Sequence, residues 1–226
     1  MPPDLMTPSA SLTNAATALT TKNSLDILAI GSGSTVGDIS GSGGGPSYST
    51  PDNSFPYRMQ VALQSLRPGV RFSLTVRGGR GLLAEAMLPI LQQEVAAHHY
   101  DLVLWQTGTV EAVHGVRPDA LHAVLEDGVQ SAVRSGADVV LIDPQFSRFL
   151  RANVDLGPYE TVLRQMTDGP GVTLFPRFDL TREWVTSGQV DLERVDKDQR
   201  DSTIALLNDC LGHALARYVL AGAAEH

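Results

Sequence analysis

The chain has little of several residue types, and each shortage excludes a class of protein. Its 226 residues include one cysteine, Cys210, so no internal disulfide can form and a cysteine-based zinc site is not expected. The 17 basic residues are outnumbered by 25 acidic ones, and the net charge of −8 argues against a nonspecific nucleic-acid or anionic-membrane surface. No run approaches the roughly 20 apolar residues that span a bilayer. We therefore expect no metal, no cofactor, no nucleic-acid partner and no transmembrane segment.

The amino terminus lacks the features of an export signal and is rich in small residues. Met1 is followed by neither a basic stretch nor an apolar run, so no signal peptide is visible and a cytoplasmic location is the default expectation. Residues 1–23, rich in Ser, Thr, Ala and Pro, predict a flexible arm, and residues 223–226 a short tail. A single domain over residues 24–222, with its fold beginning near Leu25, is long enough to bury a substantial core.

Short apolar runs alternate with segments of helical periodicity along this domain. The predicted strands are residues 25–30, 70–76, 102–106, 138–142 and 172–175, and the predicted helices are residues 81–97, 118–135, 159–167 and 202–220. This alternation predicts an α/β fold in which a parallel sheet is covered by helices on both faces. Ligands are then expected at the carboxyl ends of the strands.

A long segment, residues 38–56, contains Gly, Ser and Pro throughout and predicts a loop. Its length makes it a candidate lid over a binding site. A tolerated surface insertion explains the same composition, because insertions accumulate in loops without harm. Both interpretations stay open on the sequence alone.

Four predicted strands are followed by loops whose residues suit a binding site. Residues 31–35, Gly-Ser-Gly-Ser-Thr, present small side chains and free backbone N–H groups. Residues 77–81, Arg-Gly-Gly-Arg-Gly, either direct backbone N–H groups at an anion or simply permit a tight turn. Residues 106–111 contribute the carboxylate of Glu111. In the fourth loop, Asp143 is expected to cap or brace a turn.

Together these loops resemble the SGNH, or GDSL-type, esterases and acylhydrolases, in a bacterial branch of that family. Residues 30–37, Ile-Gly-Ser-Gly-Ser-Thr-Val-Gly, align without gaps on the family's first block, Gly-Asp-Ser-x-Thr or Gly-Ser-Ser-Ser-Thr. Residues 77–81 resemble the second block, and residues 105–111, Trp-Gln-Thr-Gly-Thr-Val-Glu, resemble the third, which usually ends Gly-Thr-Asn-Asp. The resemblance spans residues 25–220 and implies a three-layer α/β/α, flavodoxin-like fold with a five-stranded parallel sheet.

The same resemblance places the family's catalytic positions on residues that cannot perform its chemistry. The nucleophilic serine falls on Gly33, the oxyanion-hole glycine on Gly78, the oxyanion-hole asparagine on Val110 and the basic histidine on Ser202. Glycine has no side-chain nucleophile, and the valine side chain has no N–H to donate. Serine is not basic enough at neutral pH to take a proton from another hydroxyl. Only the glycine of the second block is kept.

Neighbouring residues offer another route to catalysis. Ser32 and Ser34 flank the vacant position, but adjacent residues of an extended turn point in different directions. Glu111 is a candidate general base acting on water if its pKa is raised, although a solvated loop glutamate is the plainer interpretation. His114 is the one histidine that the sequence places within reach of the site.

This pattern favours a non-hydrolytic protein that keeps the cleft and binds an acyl or glycan ligand or a partner protein. The alternative is an active esterase or acylhydrolase, acting on an ester or an O-acylated carbohydrate with relocated catalytic residues. A structural subunit of a larger assembly is a third possibility. If the cleft binds a ligand, the residues expected to contact it are Ser32, Gly33, Ser34, Gly78, Gly79 and Thr109.

Overall fold

A computed structural model describes residues 3–37 and 51–224 and contains a five-stranded parallel sheet. From one edge to the other, the strands are β2 (Arg71–Gly78), β1 (Ser24–Gly31), β3 (Leu102–Gln106), β4 (Asp138–Ile142) and β5 (Val172–Phe175). The chain adds β2 on one side of β1 and then crosses to the other side to add β3, β4 and β5. The loops that follow β1 and β3 therefore meet at this switch point in strand order. The predicted sheet is therefore confirmed.

Helices cover both faces of the sheet, so the α/β prediction holds as well. Alternate residues of β1 point to opposite faces. Ile27 lies in a core with the helices at residues 55–66 and 200–222, and Leu28 lies in a second core with the helices at residues 84–97 and 118–134. The α-helices are α1 (Thr13–Thr17), α2 (Gly33–Val36), α3 (Phe55–Leu66), α4 (Ala84–Ala97), α5 (Thr109–His114), α6 (Pro118–Arg134), α7 (Arg148–Asn153), α8 (Gly157–Gln165), α9 (Arg177–Thr186) and α10 (Arg200–Gly222).

The described end of the predicted loop at residues 38–56 is helical. Pro51–Asn53 form a 3-10 turn, and α3 begins at Phe55. Pro56 lies in the first turn of α3, where a missing backbone N–H removes no intrahelical hydrogen bond. The loop prediction is therefore wrong at residues 55 and 56, because a proline that would break a helix interior also suits the start of a helix. Residues 38–50 of the candidate lid lie outside the described residues.

The amino-terminal segment packs on the domain, so the predicted flexible arm is wrong for its helical part. Leu12, Ala15 and Leu19 are buried in the core beside α10. The buried carboxylate of Asp138, at the start of β4, accepts hydrogen bonds from the Ala15 N–H (2.9 Å) and the Asn14 amide (3.0 Å). Burial raises the pKa of Asp138. The apolar residues recur at helical spacing, and the small residues between them concealed that pattern.

The long carboxyl-terminal helix, α10, packs against this amino-terminal segment. The Leu12 N–H donates to the Gly222 carbonyl at 2.8 Å, which joins the two ends of the fold. Ala223, predicted to begin a tail, is buried against the core. Within residues 3–37 and 51–224, none of the helices combines the length and the apolar character needed to cross a membrane.

Candidate functional site

The turn after β1 brings the residues of the first block to the carboxyl edge of the sheet. Ser32 is extended (φ −85°, ψ −161°), and Gly33 opens the short helix α2. Gly31 must be glycine here, because a Cβ atom would lie 2.2 Å from the Thr35 Oγ1 atom. At Gly33, where the resemblance places the nucleophile, the chain offers only backbone.

Gln106, the last residue of β3, holds this turn through its side-chain oxygen. Its buried Oε1 atom accepts from the Ser32 N–H (3.2 Å), the Ser32 hydroxyl (3.0 Å) and the Thr35 hydroxyl (3.1 Å), with the Ser34 hydroxyl at 3.5 Å. This role of Gln106 was not predicted. A signal was present, because Gln106 continues the face of Leu102 and Leu104 and is therefore a polar residue pointing into an apolar layer.

A tight approach of β1 to β2 accounts for Gly78. Its φ is +123°, and a Cβ atom on it would lie 1.9 Å from the Gly31 carbonyl oxygen. The Gly79 N–H donates to that same oxygen at 3.2 Å. The geometry therefore requires glycine at position 78 whether or not an oxyanion binds there, which favours the tight-turn interpretation of residues 77–81.

Glu111 is not a solvated loop residue, so that prediction is wrong. The residue borders a mostly apolar cavity of about 130 Å³, and its role as a general base stays a prediction. The side chain lies in the first turn of α5 and is 1% exposed. One carboxylate oxygen accepts from the Ala84 N–H at 2.6 Å, and the other accepts from the Gly108 N–H at 2.7 Å. Both N–H groups belong to helix starts, which lack intrahelical acceptors. Glu111 thus ties the start of α4 to the start of α5.

The structure does not bring a histidine to the serines of the first block. His114 is exposed at the end of α5, and its Nδ1–H donates to the Val110 carbonyl at 2.8 Å. Ser202 is exposed in the first turn of α10, and its hydroxyl donates to the Gln199 carbonyl at 2.8 Å. Within the described parts of the chain, no histidine is hydrogen-bonded to Ser32 or Ser34. His114 is thus bonded to the third-block residue Val110, and a catalytic role for it stays a prediction.

A buried arginine that the sequence analysis did not single out lies beside the turn. Arg177, the first residue of α9, is 3% exposed, and its guanidinium lies 5.3 Å from the centre of the Phe55 ring. Its Nη2 atom donates to Gln145 Oε1 at 2.6 Å and to Ser34 Oγ at 3.4 Å, whereas its buried Nε–H has no acceptor. Burial lowers the pKa of Arg177 to about 10. The side chain is a cation at neutral pH.

Asp143 braces the turn that follows β4, as predicted. Its Oδ1 atom accepts from the Phe178 N–H at 2.8 Å. Burial raises the pKa of Asp143 to about 8, although the Phe178 N–H and the charge of Arg177 oppose the rise. The charge of Asp143 in turn opposes the lowering of the Arg177 pKa by burial, so the two groups interact although no hydrogen bond joins them.

A cavity of about 190 Å³ lies next to these residues. It is bounded by the chain after β4, by α9, by residues 190–193 and by the start of α10. Across residues 3–37 and 51–224, no three histidine, cysteine, aspartate or glutamate side chains are grouped to hold a metal ion. The lining residues are Gln145, Phe146, Ser147, Thr181, Val185, Val190, Asp191, Leu192, Glu193, Arg200 and Leu207.

Comparisons with known proteins agree with the architecture. No curated protein matches the sequence. Among solved structures, a putative lipolytic protein of the G-D-S-L family from Desulfitobacterium hafniense is 14% identical, with a TM-score of 0.54, over 86% of this chain and 99% of that one. A catalytic mutant of the acetylxylan esterase Axe2 from Geobacillus stearothermophilus is 15% identical, with a TM-score of 0.65, over 88% and 94%.

A two-domain esterase, CEX, active on acetylated mannans, is 14% identical with a TM-score of 0.66; the match covers 95% of this chain and 56% of that one. At these identities the structures share the fold, and they confirm the resemblance to SGNH and GDSL esterases at that level. A family model described as the non-GDSL lipase-like family matches residues 1–225. The chain therefore belongs to the non-GDSL lipase-like family.

Proposed function

We propose that this protein is a non-hydrolytic member of its family that binds an acyl or acylated-glycan ligand at the carboxyl edge of its sheet. One observation carries the proposal. Gln106 Oε1 accepts the hydroxyl hydrogens of Ser32 and Thr35 and lies 3.5 Å from Ser34 Oγ, next to a nucleophile position occupied by Gly33.

This arrangement lacks the proton acceptor that a serine nucleophile needs. An amide oxygen accepts a hydrogen bond but is not basic enough to remove the proton from a hydroxyl at neutral pH. The other candidate base, Glu111, has both oxygens bound to backbone N–H groups. Loss of the nucleophile and base of a triad leaves only the residual rate that binding and polarisation supply.

The ligand class is inferred from the solved relatives. Two of them are esterases of acetylated polysaccharides, an acetylxylan esterase and an esterase active on acetylated mannans. A fold that keeps its carboxyl-edge loops while lacking the nucleophile retains a place for such an acyl group. The buried cation of Arg177, within 3.4 Å of Ser34 Oγ, adds a polar group to that place.

Hydrolysis assays test the proposal directly. Purified protein is incubated with p-nitrophenyl acetate and p-nitrophenyl butyrate beside the variants Ser32→Ala, Ser34→Ala and Ser202→Ala. We expect all four proteins to release nitrophenol at the same background rate, and a fluorophosphonate reagent to label none of them. Turnover that disappears in Ser32→Ala or Ser34→Ala, but persists in Ser202→Ala, would establish an active esterase and refute the proposal.

A further inference from the structure

The cavity beside the turn has the size and lining of a small acyl pocket. Its volume is about 190 Å³. Because a molecule of liquid water occupies about 30 Å³, the cavity has room for a ligand of about six non-hydrogen atoms. Much of its wall is apolar and suits a short hydrocarbon chain. The apolar lining residues are Phe146, Val185, Val190, Leu192 and Leu207.

Gln145 gives this cavity a polar end with a fixed orientation. Its Oε1 atom accepts from Arg177 Nη2 at 2.6 Å. A guanidinium can only donate, so the amide oxygen must face Arg177 and the amide nitrogen must face away from it. Among the described residues, the Gln145 nitrogen has no acceptor. Gln145 therefore offers two N–H donors at a cavity wall, held in place by the arginine behind it.

The charge behind Gln145 favours an anion. Arg177 is buried, its Nε–H has no acceptor, and no carboxylate of the described residues lies within 4.0 Å of its nitrogen atoms. A buried charge without a counter-ion is costly, and an anion bound nearby would lower that cost. Asp143 interacts with Arg177 only at longer range, because its Oδ1 atom accepts from the Phe178 N–H at 2.8 Å and no hydrogen bond joins it to the guanidinium.

The two acidic side chains of the cavity share one arginine, and a second arginine lies in the cavity wall. Arg148 Nη1 donates to both carboxylate oxygens of Asp191, at 3.0 and 2.9 Å. The same nitrogen lies 3.6 Å from Glu193, which also accepts from the Ser147 hydroxyl at 2.6 Å. Arg200 adds a further cation to the lining. The acids therefore do not give the cavity a net negative charge.

We propose that this cavity binds a short-chain carboxylate of about the size of butyrate. The carboxylate accepts from the Gln145 amide, and the hydrocarbon chain lies against Phe146, Val185 and Leu207. Arg177 is a positioning residue, which orients Gln145 and supplies the positive charge. The inference rests on the proposed binding function and names its ligand class: a free acid, rather than an ester to be cleaved.

Titration of the ¹⁵N-labelled full chain with sodium butyrate tests the inference. Butyramide, which has the same shape without the charge, serves as the ligand control, and sodium phosphate tests for a general anion effect. We expect butyrate to shift the Gln145 side-chain amide resonances saturably with a Kd of about 1 mM or tighter, since small ligands reach limited affinity. We expect butyramide to bind at least about tenfold more weakly.

Gln145→Glu separates binding from folding. The new carboxylate would pair with Arg177, so we expect the Tm to rise by about 2–4 °C and butyrate affinity to fall at least about tenfold. The matched control is Gln130→Glu, because Gln130 Oε1 accepts from Arg134 at 3.5 Å on an exposed helix face. We expect the control to leave butyrate binding unchanged.

Three results would overturn the inference: no saturable shift with butyrate, equal affinities for butyrate and butyramide, or unchanged butyrate affinity in Gln145→Glu. Phosphate competing as strongly as butyrate would also overturn it, by indicating an anion site without an acyl pocket. The proposed function fails separately. Turnover of p-nitrophenyl butyrate would contradict a non-hydrolytic role, whereas absent binding in a protein without turnover contradicts only the carboxylate site.

Discussion

Glu111→Gln is expected to destabilise the fold, because the glutamate joins two helix starts. Its two oxygens accept from the Ala84 and Gly108 N–H groups, and the side chain is 1% exposed. Glutamine keeps one acceptor oxygen, but its NH₂ group would face the other N–H. A hydrogen bond to a charged group contributes about 1.5–3 kcal/mol, so the free energy of unfolding should fall by about 2–3 kcal/mol. For a chain of this length, that loss lowers the Tm by about 4–12 °C.

Urea denaturation followed by circular dichroism measures this loss as a lower midpoint with an unchanged m-value. The matched control is Glu126→Gln, which makes the same change on an exposed position of α6 and should alter stability by less than about 0.5 kcal/mol. Equal midpoints for the two variants would refute the structural role of Glu111. Such a result, together with a fall in ester turnover, would return Glu111 to the role of a general base.

Three further changes test other parts of the structure. Leu12→Ala should lower the free energy of unfolding by about 2–5 kcal/mol, because the side chain is completely buried. A urea midpoint equal to that of wild type would mean that the amino-terminal segment is not packed on the domain. The pKa of Asp143 is about 8 in the folded protein and about 3.9 in the unfolded chain. The folded protein therefore binds the proton more tightly, and the resulting stabilisation is lost as the pH rises from about 4 to about 8. Wild type should therefore lose about 1.4 kcal/mol per pH unit relative to Asp143→Asn between pH 4 and 8, and a constant difference in urea midpoints across that range would contradict the shift. Gly33→Ser should leave p-nitrophenyl acetate turnover at background, because Gln106 cannot act as a base; a clear rate would show that a base is within reach.

The central strands could be predicted because they are buried on both faces and read as mainly apolar runs, whereas the edge strand β2 is only partly buried. β3 and β4 consist entirely of buried residues, and their predicted bounds match the structure. The glycine-rich turn after β1 was also visible, since small residues after a buried strand indicate a tight connection at the edge of a sheet. Helix α3 was not predicted, because Gly and Pro before it gave the signal of a loop.

The partners of the site residues could not be read from the sequence, because they lie far apart along the chain. Glu111 bonds to a backbone group 27 residues away, and Arg177 approaches Ser34 across 143 residues. Composition shows that a glutamate and an arginine are present but not that folding buries them. The burial gives these two residues their roles, and it depends on the packing of α4, α5 and α9.

The geometry of the first turn does not depend on a nucleophile. Gly31 and Gly78 are required by contacts between backbone and neighbouring atoms, and Gln106 binds the hydroxyls of Ser32 and Thr35 without involving the side chain at position 33. The side-chain contacts that hold the turn therefore involve no side chain at position 33. Because the contacts that shape the turn differ from those that catalysis needs, the cleft can persist when glycine occupies the nucleophile position. A buried cation beside such a cleft can then favour the binding of an acid over the cleavage of an ester.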